Sequence, residues 1–232
     1  RSVDKNRKKL VEFDPAKYLD YIAEKVEPWS YMKFPYYKPQ GYPGGCYRVG
    51  PLGRVNACDK IATPKANKEL ENFRKLAEKG LRGCTLLYHY ARAIELLYAL
   101  ERAEEVLKHP DICSPDIRYT GDVVNEEGVG VIEAPRGILI HHYGVDKFGK
   151  ITKANLIVAT GHNNIAINRS VELVAKEYIH KGKVEEGMLN RVEGAIRCYD
   201  PCLSCATHAV GKMPLIVQIF AGEELVGEIR RD

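Results

Sequence analysis

The region from Ala66 to Leu107 constrains the fold most strongly. Leu70, Phe73, Leu76 and Ala77 recur with a period of 3.6 residues. After a break at Gly80 and Gly83 the period resumes from Thr85 through Leu86, Tyr90, Ala93, Ile94, Leu97, Leu100 and Ala103. Glu and Arg occupy the opposite face, so the pattern predicts amphipathic helices that bury one stripe against a neighbour. His109-Pro110 ends the second, because proline cannot continue the hydrogen-bond ladder. Asn168 to Lys181, with Val171, Val174, Ala175 and Tyr178 on a stripe, and Leu189 to Tyr199 read as further helices. Ser2 to Val26 also reads as helical: Asp14-Pro15 can start a helix, and Tyr18, Ile22 and Val26 then share a side.

Elsewhere the pattern changes. Gly128, Gly130 and Gly137 punctuate Val129, Val131, Ile132, Ile138, Leu139 and Ile140, so Val123 to His142 reads as a β-hairpin, and Ile151 to Val158 as a further strand. Leu215 to Phe220 and Leu225 to Ile229 read as two short strands joined at Ala221-Gly222. The predicted class is α+β: mainly a helical bundle, with a small antiparallel sheet near residues 123–158 and a short β tail. Glu27 to Gly53 carries Pro28, Pro35, Pro39, Pro43 and Pro51 among Tyr and Gly and reads as irregular loop. Its aromatics (Trp29, Tyr31, Phe34, Tyr36, Tyr37, Tyr42, Tyr47) serve either as core filling or as a subunit contact.

Composition removes several classes. With 35 basic and 31 acidic side chains the net charge is +4, too small an excess to imply nucleic acid. No apolar run reaches the roughly 18 residues a membrane helix needs, and there is no signal-peptide pattern. The seven cysteines are an odd number, which argues against a secreted disulfide framework and for a reducing, cytoplasmic location.

Three stretches carry chemistry. In Asp200-Pro201-Cys202-Leu203-Ser204-Cys205-Ala206-Thr207-His208 two thiols stand three residues apart, with an imidazole three residues further on. On a turn opening into a helix both thiols share a face and reach a common point. That spacing serves zinc sites, redox disulfides and nickel or iron sites alike. In Glu133-Ala134-Pro135-Arg136-Gly137 the proline removes a donor, the glycine permits close approach, and the arginine charge is permanent; alone it reads equally as a turn with a surface arginine. Thr160-Gly161-His162-Asn163-Asn164, alone, reads as a polar turn before a helix. His89 lies on a predicted helix with no partner nearby in sequence and reads as an ordinary histidine.

Together these stretches resemble the large subunit of nickel–iron hydrogenases. Asp200, Pro201, Cys202, Cys205 and His208 match that family's C-terminal signature. Ala134 to Gly137 with His141 looks like its Ala-Pro-Arg-Gly segment, and Arg48 to Asn56 looks like its stretch usually written with Pro-Leu-Ala-Arg. The wording is most similar to archaeal cytoplasmic F420-non-reducing hydrogenases that feed heterodisulfide reductase in methanogens, with the F420-reducing enzyme as the alternative.

The resemblance implies that Cys202 is a terminal thiolate on nickel and that Cys205 bridges nickel to an iron carrying CO and cyanide. It implies that His208, with the Leu156 carbonyl, binds magnesium or a second iron. Arg136 would sit over the open position between the metals, and Thr160 and the backbone around Pro135 and Arg136 would face the cyanides. Either the Cys202 thiolate or Arg136 takes the proton. The implied partners are an iron–sulfur small subunit, a further electron-transfer subunit, and a maturation endopeptidase. The family's N-terminal CxxC and glutamate are absent here. Residues 1–208 are therefore expected to be the C-terminal part of a large-subunit domain, inactive alone, and residues 209–232 a tail removed on maturation.

Three readings compete. A structural zinc or iron module would recruit Cys198 as a fourth ligand. A metal-free relative in respiratory complex I would lack the paired thiols. A thiol oxidoreductase would need a thioredoxin-like βαβ unit around the motif, which is missing.

Overall fold

The computed structural model describes residues 1–4, 6–76, 80–118, 125–179, 185–207 and 215–231. It is an α+β arrangement, with helices packed around the larger of two hydrophobic clusters and antiparallel strands in small sheets.

The main core forms only in part where the helical periodicity predicts it. Leu70, Phe73 and Ile94 are buried, but Leu86, Ala93, Leu100 and Ala103 of the expected stripe are exposed, and Tyr88 and Ala91 take the buried face instead. The helix at Pro51–Ala57 has no counterpart in the periodicity. Helix α2 (Pro51–Ala57) contributes Leu52 and Val55, α3 (Pro64–Leu76) contributes Ala66, Leu70 and Phe73, and α4 (Leu87–Leu107) contributes Tyr88, Ala91 and Ile94. Helices α5 (Asn164–Tyr178) and α6 (Glu186–Cys198) close it with Ala166, Ile167 and Cys198, and Tyr199 packs its ring 4.7 Å from that of Tyr88. The first amides of α3 are capped from α4: Lys65 and Ala66 donate to the two carboxylate oxygens of Glu101 at 3.1 and 3.0 Å. A carboxylate there meets the positive end of the helix dipole.

The predicted sheet is present as β5 (Glu127–Ala134), β6 (Gly137–Val145) and β7 (Ile151–Ile157), antiparallel and consecutive. Ala134 faces Gly137 in the register, so β5 and β6 are joined by just Pro135 and Arg136. The predicted tail strands form a separate hairpin, β8 (Leu215–Ala221) and β9 (Glu224–Arg231).

The amino-terminal expectation fails. Among the described residues from Ser2 to Val26, only Tyr18–Tyr21 (α1), after a 3-10 turn at Pro15–Lys17, is α-helical. Ser2–Val3 (β1) pairs with Lys9–Val11 (β2), and Ile22–Lys25 (β3) pairs with Phe34–Tyr37 (β4). Asp14 does cap the turn, accepting from Ala16 N. The helix stops because Ile22 is drawn into β3, and Tyr18 and Ile22 are buried against Ile140 and Ile157 of the larger sheet. The strand β4 likewise corrects the reading of Glu27 to Gly53 as wholly irregular. Pro35 is tolerated because a two-stranded sheet leaves one side of β4 unpaired. Of the aromatics in this region, Phe34 is buried, whereas Trp29 and Tyr31 are exposed.

Candidate functional site

The two-residue loop between β5 and β6 lifts Arg136 out of the sheet. Gly137 makes the loop possible: at φ +143 it avoids a Cβ that would lie 2.3 Å from the Val49 side chain. Arg136 Nε donates to the backbone carbonyl of Asp200 at 2.8 Å and stands 3.2 Å from Asp200 Oδ2. Asp200 has φ +50, a left-handed conformation that Asp tolerates better than most residues. That turn, followed by Pro201, redirects the chain from the end of α6 into the short helix α7 (Leu203–Thr207).

Cys202 and Cys205 straddle the start of α7. Their Cα atoms are 5.3 Å apart and their sulfurs are joined as a disulfide. The spacing therefore brings both sulfurs to one point. Cys202 is held from a third direction: its backbone N–H donates to Thr160 Oγ1 at 3.1 Å. Thr160 is buried in the turn between β7 and α5. Three segments far apart in sequence thus meet here, carrying Arg136, Thr160 and the sulfur pair. Pro135 shares the Arg136 turn and is exposed, with its carbonyl accepting from Arg54 at 3.0 Å.

Leu156 lies in β7 opposite His141. It lines a cavity of about 150 Å³ together with Glu24, Lys33, Gly161 and Ala206. The Leu156 segment and the end of α7 therefore border one space. His208 and residues 209–214, part of the expected tail, lie outside the described residues.

The turn carrying Thr160 is rigidly buried. His162 Nδ1 is paired with Tyr47 Oη at 2.5 Å, and burial pushes its pKa down to about 4 despite the pull of the Ile157 and Ile138 backbone. Asn163 Oδ1 accepts from Val49 N at 2.9 Å, and Asn164 Nδ2 donates to Lys33 O at 2.8 Å. This stretch is thus more than a polar cap: its side chains brace the Tyr47–Val49 strip.

The zinc-module reading is not supported by the position of Cys198. That thiol is buried, donates to Gly194 O at 3.1 Å and lies 3.4 Å from His89 Nε2. Burial pushes its pKa up, which disfavours the thiolate a metal needs. His89 is an ordinary side chain apart from this contact. Among the described residues no three His, Cys, Asp or Glu side chains are grouped to hold a metal. The two sulfurs are soft donors suited to nickel. Sequence reading missed Asp200 as the anchor of Arg136; the signal available was the acidic residue heading the motif. Arg54 stands in the Pro-Leu-Gly-Arg stretch, but its contacts with the Arg136 turn have no local cue. Among the described residues no helix is long and apolar enough to cross a membrane.

Residues 3–208 match the family model described as nickel-dependent hydrogenase. The NAD-reducing hydrogenase HoxS subunit beta of Cupriavidus necator is 48% identical, over all of this chain and 48% of that protein. The matching chain of the F420-non-reducing hydrogenase of Methanothermobacter thermautotrophicus is 48% identical over 90% of this chain and 44% of that protein. A crystal structure of an NAD+-reducing [NiFe]-hydrogenase in the H2-reduced state superposes with a TM-score of 0.82 at 45% identity, covering 86% of this chain and 44% of that one. The chain spans about half the length of the relatives it matches.

Proposed function

Because this chain belongs to the nickel-dependent hydrogenase family, we propose that it forms the C-terminal half of a hydrogenase large subunit. It contributes Cys202 and Cys205 to a nickel–iron site that cleaves and forms dihydrogen. The observation that carries this reading is the convergence of the sulfur pair, through Asp200, with the guanidinium of Arg136. The remaining thiolates come from the half of the large subunit that this chain does not span.

When bound, the metals supply the electrophile that polarises dihydrogen. Once a thiol reductant has supplied two electrons to open the disulfide, Cys202 and Cys205 would hold nickel and iron as thiolates. Metal-bound thiolates stay deprotonated near neutral pH, so Cys202 Sγ accepts the proton. Arg136 does not, because a guanidinium offers donors and no acceptor. Its charge, steadied by Asp200, instead balances anionic ligands such as cyanide and shapes the approach to the metals. Thr160 fixes the backbone that aims Cys202. His208 and the Leu156 carbonyl would hold magnesium or a second iron; Leu156 lines the cavity described above.

Electrons leave through an iron–sulfur small subunit. In the favoured reading they pass by a further electron-transfer subunit to heterodisulfide reductase. A second reading ends on NAD, favoured by equal identity to the NAD-reducing relative. Reduction of each acceptor by the purified complex separates the two. Residues 209–232 act as a maturation tail. The family match stops at residue 208, and β8 and β9 form a sheet with each other alone.

The test is metal analysis of the assembled large subunit. Cys202→Ser and Cys205→Ser should each abolish nickel retention and hydrogen turnover. Full nickel content in either variant, or one zinc and no nickel in the unaltered protein, overturns the proposal.

A further inference from the structure

Arg54, on α2, commits all five N–H donors of its guanidinium to the protein. Nε and Nη2 reach the two carboxylate oxygens of Glu95 on α4 at 2.5 and 2.7 Å. Nη1 donates to Glu133 Oε2 and to the Ala134 carbonyl, both at 2.8 Å, and Nη2 donates to the Pro135 carbonyl at 3.0 Å. Burial works against the charge, but the hydrogen bonds to Glu95 and Glu133 outweigh it and hold the guanidinium protonated. No donor is left for a ligand, so Arg54 is not a substrate-binding group. What it grips are the two carbonyls immediately before Arg136.

The same segment touches the turn a second time. Gly50, at the start of α2, has φ +82, and a Cβ there would lie 2.9 Å from the Arg136 carbonyl oxygen. Val49 closes against Gly137, and is itself pinned by Asn163 through its N–H and by Tyr88 Oη, which donates to its carbonyl at 3.0 Å. The Pro135-Arg136 turn is thus held between Arg54 on one side and the Val49-Gly50 backbone on the other.

We infer that Arg54 is a positioning residue which, with Gly50, clamps the β5–β6 turn so that Arg136 reaches Asp200 and stands beside the sulfur pair. This rests on the proposed function. Lysine cannot replace Arg54, because one ammonium with three donors cannot span a carboxylate, a second carboxylate and two carbonyls together.

The experiment uses the complete large subunit in complex with its small subunit, and compares Arg54→Lys, Arg136→Lys and the double variant. Arg54→Lys should lower kcat about tenfold or more, with nickel content unchanged and KM for hydrogen within about twofold. In the Arg136→Lys background the same substitution should cost less than about threefold, since the group it positions has already been altered. Equal factors in both backgrounds, unchanged kcat in Arg54→Lys, or loss of nickel in Arg54→Lys assign Arg54 a general structural role or none, and overturn the inference. Where Arg136→Lys turns over too slowly to measure, Gly50→Ala decides. It displaces the Arg136 carbonyl without altering any charge, so kcat should fall at unchanged nickel content, and unchanged kcat or lost nickel overturns the clamp. Full turnover by Arg136→Lys would instead sink the reading of the site itself, a result distinct from a slow Arg136→Lys beside a harmless Arg54→Lys.

Discussion

The amide of Cys202 points into Thr160 Oγ1 at 3.1 Å, 42 positions back along the chain. Thr160 is 3% exposed, whereas Cys202 is half-buried. Thr160→Val keeps the shape and removes the acceptor, which costs about 0.5–1.5 kcal/mol for a half-buried hydrogen bond. The melting temperature of the assembled enzyme should drop, and a chelator should strip nickel faster. Thr160→Ser should restore both, and wild-type behaviour in Thr160→Val would show that the contact does not steady Cys202.

Asp200 combines two duties that substitution can separate. Asp200→Asn retains a residue tolerant of φ +50 and the carbonyl that Arg136 uses, but removes the charge 3.2 Å from Nε. Both side chains are nearly half exposed, so stability should change by no more than about 1 kcal/mol, while turnover falls. Asp200→Val adds a left-handed strain of about 1–2 kcal/mol. Denaturant midpoints and kcat measured together check the split; equal destabilisation by both variants contradicts it.

His162 makes the fold acid-sensitive. Its folded pKa, about 4, lies below the ordinary value of 6.5 because burial disfavours the cation. The unfolded chain therefore binds the proton more readily. This stabilising contribution is complete above pH 6.5 and is lost as pH falls from 6.5 to 4, by about 3 kcal/mol in all. Denaturant unfolding at about pH 7 and about pH 5 should show the loss, and His162→Gln should flatten it. An unchanged slope in that variant places the acid sensitivity elsewhere.

The tail hairpin should be the first part cut by a non-specific protease. The strands β8 and β9 are paired with each other alone, and a lone two-stranded hairpin is marginal in water. Mass spectrometry after brief digestion should find cuts beyond residue 207 before any within α3 or α4. Early cleavage inside those helices would contradict the separation.

This chain expressed by itself should bind nickel weakly, lose it on dialysis against a chelator, and turn over no hydrogen. It presents one sulfur pair and, among the described residues, no cluster of three ligands. Turnover by the isolated chain would show that the missing donors are not required.

The sequence was legible where a short-range period dictated structure. Leu70 and Phe73 mark the buried face of α3, and the glycines around Val129 and Ile138 mark the hairpin, since both signals are local. Tyr18 and Ile22 misled because a spacing of four suits a helix face and equally suits two residues packed beneath a sheet; pairing with Tyr37 decided between them. At the site, the sulfur pair was readable from its spacing. Arg136 and Thr160 were readable only through their resemblance to known motifs. The partners of Arg54 were not readable at all, since Glu95 is 41 positions away and Pro135 is 81. A guanidinium that satisfies itself across such distances leaves no pattern along the chain.

Asp200 is at once the last bend before the thiols and the seat of the Arg136 guanidinium. Breathing of the sheet against the helices would ordinarily let a cation on a hairpin drift away from ligands on a distant helix. With both mounted on Asp200, a displacement of that one residue moves the cation and the thiols in the same direction.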